Sequence, residues 1–204
     1  SWRHCRVWLQ FIQALQGRSH SPLALRGEAF DETQDMASLE ASNNRFSLFT
    51  AHTLQSVLAW HRGDAAASVL QARQAAAYAA TGGATLLAAT HRVLWVLGEL
   101  QALAGQTEPE RSQTLTQVQA LMEQMRGFAR IAPCNFAHQL TLLEAEWARA
   151  HDEPLAAWQH YEAAWAQVAA TALAHDKMLI AERAGSYYRS RQMAEPPAGR
   201  VTPM

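Results

Sequence analysis

Lysine is almost missing from this chain. Of its 17 basic residues only Lys177 is a lysine, and the arginines are scattered along 204 residues with a formal net charge of −1. A chain with so little basic excess cannot neutralise a run of phosphates, so nucleic acid is not an expected partner. Lys177 follows His175-Asp176 with no glycine loop, and no G-x-x-x-x-G-K-[ST] occurs, so P-loop nucleotide hydrolysis is not expected. Cysteine is nearly as scarce. Cys5 and Cys134 lie far apart, without metal-ligand spacing and without a secreted disulfide framework. Nine histidines occur, but no His-Glu-x-x-His and no pair four apart on one helix, and His4-Cys5 has no downstream cluster. No metal and no cofactor are therefore expected.

Long apolar runs are also lacking. The most apolar stretch, "ATLLAATHRVLWVLGELQALAG", is interrupted by His91, Arg92 and Glu99. It reads as a buried amphipathic helix, not a membrane span. The chain begins at Ser1 and carries no signal-peptide pattern, so a cytoplasmic fragment or processed chain is expected.

What is present is helical periodicity in a chain that is 49% hydrophobic and 17% charged. Four stripes step by three and four: Val93, Val96, Leu97, Leu100, Ala104; Leu115, Val118, Met122, Met125, Ala129; Phe136, Leu140, Leu143, Trp147; and Leu155, Trp158, Trp165, Val168, with Glu162 off-type and Tyr161 beside it. Alternating strands and Asn-Gly hairpin signals are missing. Trp147, Trp158 and Trp165 are therefore expected in the core, and Trp2 and Trp8 at the surface.

The breaks are legible too. Gly63-Asp64 reads as a helix stop followed by a new N-cap. Gly82-Gly83 and Gly105 end the next two helices. Thr107 with Glu110 has capping-box spacing, and Asp152 with Pro154 starts another helix. The expected helices are 2–16, 32–41, 44–62, 65–81, 84–104, 108–130, 136–150, 153–171 and 174–191, with a disordered tail over 192–204. Short joints predict antiparallel hairpins of 44–62 with 65–81, 84–104 with 108–130, and 136–150 with 153–171. "WHRGDAAASVLQARQAA" echoes "WARAHDEPLAAWQHYEAA", pairing Asp64 with Asp152 at an offset of 88 residues. Small residues (Ala59, Ala72, Ala75; Ala148, Ala156, Ala163) would let paired helices approach. The expected class is all-α, a TPR-like α-solenoid over residues 1–191.

Two clusters invite chemistry. Cys134 stands four residues before His138, a spacing that would suit an activated thiolate. The simpler expectation is a joint: Pro133 stops one helix, Asn135 caps the next, Phe136 opens its apolar stripe, and no third orienting group is spaced nearby. The acidic run "GEAFDETQD" holds Glu28, Asp31, Glu32 and Asp35. It is expected to favour a helix N-terminus, not to form a carboxylate pair for catalysis.

"GEAFDE" (27–32), "LEASNN" (39–44), "HRGDAAASVLQA" (61–72) and "APCNFAHQLTLLEAEWAR" (132–149) resemble, in order, the helical repeat region of a bacterial family. These very large signalling proteins carry a serine/threonine-kinase-like domain, an AAA/STAND-type ATPase, this repeat region, and then a GAF sensor and a histidine kinase. Their pattern reads approximately Pro-Glu-Asn-Phe-x-His-Lys, then Leu-x-Glu-Ala-Glu-x-Ala-Arg. The matching positions are Phe30, Asp31, Glu32, Asn43, Asn44, Gly63, Asp64, Pro133, Asn135, Phe136, His138, Glu144, Glu146 and Arg149, as structural residues. Cys134 departs from the pattern, standing where glutamate is usual, and Gln139 stands where lysine is usual.

The resemblance implies no catalytic residue here. It implies a spacer that couples an ATPase switch to sensor and output domains, with protein domains as partners in cis or in trans. The alternatives are a stand-alone TPR-like adaptor, a fragment of a STAND-type transcription regulator, and a small enzyme using Cys134 and His138.

Overall fold

The computed structural model describes residues 2–21, 23–83 and 85–191; the expected tail lies outside them. Two compact units divide the chain, Ser1–Phe128 and Ala129–Met204. Among the described residues there are nine α-helices and two short 3-10 turns, and no strand, only a bridge between Arg26 and Asp31.

The first unit holds α1 (Trp2–Leu15), α2 (Glu32–Ala41), α3 (Arg45–His61), α4 (Ala65–Ala76), α5 (Leu86–Ala102) and most of α6 (Glu108–Ile131). At its centre is α3, packed against α1, α2, α4 and α5. Val7 and Ala14 of α1, Leu25 and Phe30 of the following loop, and Leu48, Ala51, Leu54 and Leu58 of α3 form one buried cluster. Small side chains set the closest approaches. Ser56 of α3 meets Ser68 of α4, hydroxyl to hydroxyl, at 2.9 Å. On α5, Gly98 faces α4 so closely that a Cβ there would come within 2.3 Å of Val69 Cγ2.

The second unit holds α7 (Pro133–Ala150), α8 (Pro154–Ala169) and α9 (Ala174–Ser190). α7 and α8 form a close hairpin, and α9 packs on both.

One turn recurs four times. After α1, the Arg18 N–H bonds the Gln13 carbonyl and the Gly17 N–H bonds Ala14, with Gly17 at φ +72°. After α2, the Asn44 N–H bonds the Leu39 carbonyl and the Asn43 N–H bonds Glu40, with Asn43 at φ +47°. After α3, Asp64 bonds Ala59 and Gly63 bonds Trp60, with Gly63 at φ +75°. After α7, Glu153 bonds Ala148 and Asp152 bonds Arg149, with Asp152 at φ +55°. This is the Schellman C-cap, and glycine, asparagine and aspartate are the residue types that tolerate its left-handed position. After α2, α3 and α7 the next residue is the N-cap position of the following helix. Asn44 accepts from the Ser47 N–H and Asp64 from the Ala67 N–H, whereas Glu153 makes no side-chain cap.

Several sequence expectations change. The two echoing turns match Gly63 with Asp152, an offset of 89 residues rather than 88, because Asp152 fills the left-handed position and not the N-cap. The inner face of α8 keeps Tyr161 and Val168 of the expected stripe but not its tryptophans. That face is Ala157, Tyr161, Ala164 and Val168, each 0% exposed, while Trp158 and Trp165 are 40% exposed and Leu155 lies outside with them. Alanines on the inner face let the α7 and α8 backbones close to a distance that two indoles would prevent. Ala156 and Ala163 are likewise only half-buried.

The joint at Pro133 also differs. Proline belongs inside α7 as its first residue, where its missing N–H costs nothing, and Ala132 before it lies outside the helical region, at φ −138° and ψ 73°. Asn135 is therefore a first-turn residue, not a cap. The expected pairing of α5 with α6 is looser than that of α3 with α4. Its contacts run through long side chains, with Arg92 donating to Gln124 Oε1 and covering the Phe128 ring.

Candidate functional site

The densest polar chemistry lies inside the second unit. His138 on α7 is 1% exposed, and its Nε2–H donates to Asp176 Oδ2 on α9 at 2.9 Å. Gln139 Nε2 donates to the other oxygen, Oδ1, at 3.2 Å, and His175 Nδ1 stands 3.6 Å from it. Burial works to raise the Asp176 carboxyl, but the bonds from His138, His175 and Gln139 outweigh it and hold the group well below the usual carboxylate range.

Two turns along α7, Glu146 anchors a second cluster. Arg183 of α9 donates to both of its oxygens, Nε at 2.6 Å and Nη2 at 2.9 Å. The Tyr161 hydroxyl of α8 donates to Oε1 at 2.7 Å. Burial and then the Glu146 carboxylate push the Tyr161 phenol far up, so it stays a neutral donor. Arg149 approaches Glu146 Oε2 at 4.0 Å and lies over the Tyr187 ring. Tyr187 in turn donates to the Pro154 carbonyl. The cluster thus ties α7, α8 and α9 together through one carboxylate.

The residues named from the sequence separate into three roles. Asn43 and Gly63 hold left-handed turns, and Asn44 and Asp64 cap helices. Phe30 and Phe136 are core, 2% and 7% exposed. His138, Glu146 and Arg149 enter the interhelical network described above. Pro133 is the first residue of α7, Asn135 is on its first turn, and Glu144 sits half-buried 3.9 Å from His160 Nδ1.

The acidic run is engaged at the start of α2. Asp31 caps the helix through the Thr33 N–H, and these Thr33 bonds lower its pKa. Asp35 Oδ2 accepts the Asp31 N–H and pairs with Arg6, while Glu32 pairs with Arg26 and Gln55.

Cys134 and His138 do not form a joined pair in this arrangement. The Cys134 thiol is exposed and donates to Asn135 Oδ1 at 3.7 Å. The orienting carboxylate that sequence spacing did not offer, Asp176, comes from 38 residues downstream. Asp176 and Arg183 were missed by reading motifs alone. The signal was available in α9, where both share a face with Leu179, Ile180 and Tyr187, and a charge on an apolar face requires a buried partner.

Other histidines are committed within the first unit. Trp8 Nε1–H donates to His4 Nε2 at 3.1 Å, which leaves Nδ1–H to donate to the Thr50 hydroxyl. His91 Nε2–H donates to the Ala72 carbonyl at 2.8 Å, and burial lowers its pKa to about 4. No helix among the described residues is long and apolar enough to cross a membrane. Comparison with protein-family models, with curated proteins and with solved structures finds no match.

Proposed function

We propose that this chain is a non-catalytic helical-repeat module, a TPR-like α-solenoid of antiparallel hairpins. In this reading it couples an ATPase switch to sensor and output domains within a bacterial signalling kinase. The observation that carries the reading is that this turn passes one helix directly into the next three times, with the same backbone bonds around Asn43, Gly63 and Asp152. Solenoids are built by repeating one joint, so that each hairpin rests on its neighbours and the array presents an extended binding surface.

A second support is where the polar residues go. His138, Glu146 and Arg149, which carry the resemblance to those signalling proteins, are spent on holding α7 to α8 and α9. A module of this kind works by position and contact, with protein domains as its partners.

The test is the size of the native polypeptide in cell extract, by immunoblot with an antibody against this chain. A band far above 22.6 kDa is expected. A single band near that mass would overturn the coupling role.

A further inference from the structure

On α8, positions 155, 158, 162, 165 and 169 alternate steps of three and four, so they share one side of the helix, distinct from the buried face of Ala157, Tyr161, Ala164 and Val168. They hold Leu155, Trp158, Glu162, Trp165 and Ala169. The four apolar ones are all exposed, Leu155 by 65%. Neither Trp158 nor Trp165 makes a hydrogen bond or a ring contact among the described residues. Indoles gain more than most side chains from being covered.

Glu162 is the departure in this stripe. Its Oε1 accepts the Tyr188 hydroxyl of α9 at 2.6 Å. Burial and then the Glu162 carboxylate raise the Tyr188 pKa, so the phenol stays a donor. That bond fixes the carboxylate, and no arginine or lysine pairs with it among the described residues.

The position of this charge limits what can cover the stripe. Glu162 stands at its centre, one turn from each tryptophan. A second copy packed in register on the same stripe about a two-fold axis would set Glu162 against Glu162. A wholly apolar surface would bury the carboxylate unpaired. A small cation could pair with it, but the side of a helix encloses nothing, and both indoles would stay wet. A second helix with the same three-four spacing covers all of the stripe, about 21 Å, and a cation at its middle meets Glu162. Arginine suits that place better than lysine, because its planar guanidinium grips a carboxylate and stacks on an indole.

We propose that this side of α8 docks an amphipathic helix of a partner protein that carries an arginine within its apolar stripe. The arginine pairs with Glu162, and the apolar residues before and after it cover Leu155, Trp158, Trp165 and Ala169. The proposal rests on reading the chain as a binding module, and it names the surface and the chemistry of the partner.

The test titrates the full chain, ¹⁵N-labelled, with three amphipathic helical peptides of about 15 residues. Each carries leucines on the matching stripe, with arginine, citrulline or glutamate at its centre. The indole N–H resonances of Trp158 and Trp165, assigned with Trp158→Phe and Trp165→Phe, report contact. Saturable shifts of both are expected with the arginine peptide, about tenfold weaker binding with its neutral citrulline isostere, and none with glutamate. Glu162→Gln keeps an acceptor for Tyr188 and is expected to erase the preference for arginine over citrulline. Trp165→Ala, at an exposed ring, is expected to weaken the arginine peptide about tenfold, which keeps the test decisive if Glu162→Gln disturbs Tyr188.

No saturable shift with the arginine peptide, or equal affinity for all three, would overturn the proposal. Indole shifts that grow with the concentration of the protein alone would assign the face to a second copy and overturn it as well. The immunoblot above does not depend on this face, so the two readings fail separately.

Discussion

Arg183 on α9 grips Glu146 on α7 at two points, across 37 residues of sequence, with the carboxylate side chain 3% exposed. Breaking a buried pair from one side leaves an uncompensated charge. Glu146→Ala is therefore expected to destabilise the second unit by about 3–5 kcal/mol, and the double variant Glu146→Leu with Arg183→Met by far less. Urea unfolding followed by tryptophan fluorescence measures both. Equal losses in the single and double variants would show that the pair is not what ties these helices together.

The repeated turn makes a prediction about backbone strain. Gly63 and Asp152 occupy the same left-handed position, at φ +75° and +55°. Gly63→Ala is expected to cost about 1–2 kcal/mol, because a Cβ is disfavoured there. Asp152→Gly relieves strain but loses an exposed pair with Arg191 that is worth little, so the net change is expected within about 1 kcal/mol. Thermal melts of both variants decide it, and a neutral Gly63→Ala would contradict the shared-turn account.

Helix existence was legible across the described residues, because apolar spacing and capping residues are local signals. Thr107 with Glu110 is an example: Glu110 Oε2 accepts both the N–H and the hydroxyl of Thr107, at 2.9 Å each. Rotational phase was less legible. On α8 the tryptophans outweigh the alanines in any hydrophobic count, yet close helix contact selects small residues, and Ala157 and Ala164 went inside. The interhelical network was least legible: the apolar face of α9 marks Asp176 and Arg183 as needing buried partners, but only α9 laid against α7 shows that these are His138 and Glu146.

Close contact also predicts a steric rescue. Gly98→Ala would place a Cβ 2.3 Å from Val69 Cγ2 and is expected to cost about 1–3 kcal/mol. Adding Val69→Ala opens the space and is expected to recover part of that loss. A double-mutant cycle by chemical denaturation reads the coupling. Strict additivity would mean that α4 and α5 do not meet at this point.

Acid should weaken the two units in different ranges. In the first, His91 has a folded pKa of about 4 against an ordinary 6.5, so the folded state resists its protonation. Its contribution is complete above pH 6.5 and falls as pH drops toward 4, by roughly 3 kcal/mol in all. In the second, Asp176 is held below the usual carboxylate range, so its contribution is complete above about pH 4 and is lost only in stronger acid. His91→Gln is expected to flatten the loss between pH 6.5 and 4. Amide hydrogen exchange across that range separates the units, and an unchanged pH profile in His91→Gln would refute the assignment.

Cys134 supplies the sharpest contrast with a catalytic reading. Its thiol is exposed, and the histidine one turn on is buried against Asp176. Removing an exposed side chain from a helix's first turn changes little, so Cys134→Ala is expected to stay within about 0.5 kcal/mol of the parent. His138→Ala is expected to be far worse, because it strips a buried carboxylate of its main partner. Thiol alkylation adds a second readout. A reagent that modifies Cys134 should leave the melting temperature and any partner binding unchanged. If alkylation or Cys134→Ala abolished partner binding while His138→Ala spared it, the thiol would be the working group and the packing account of this stretch would fall.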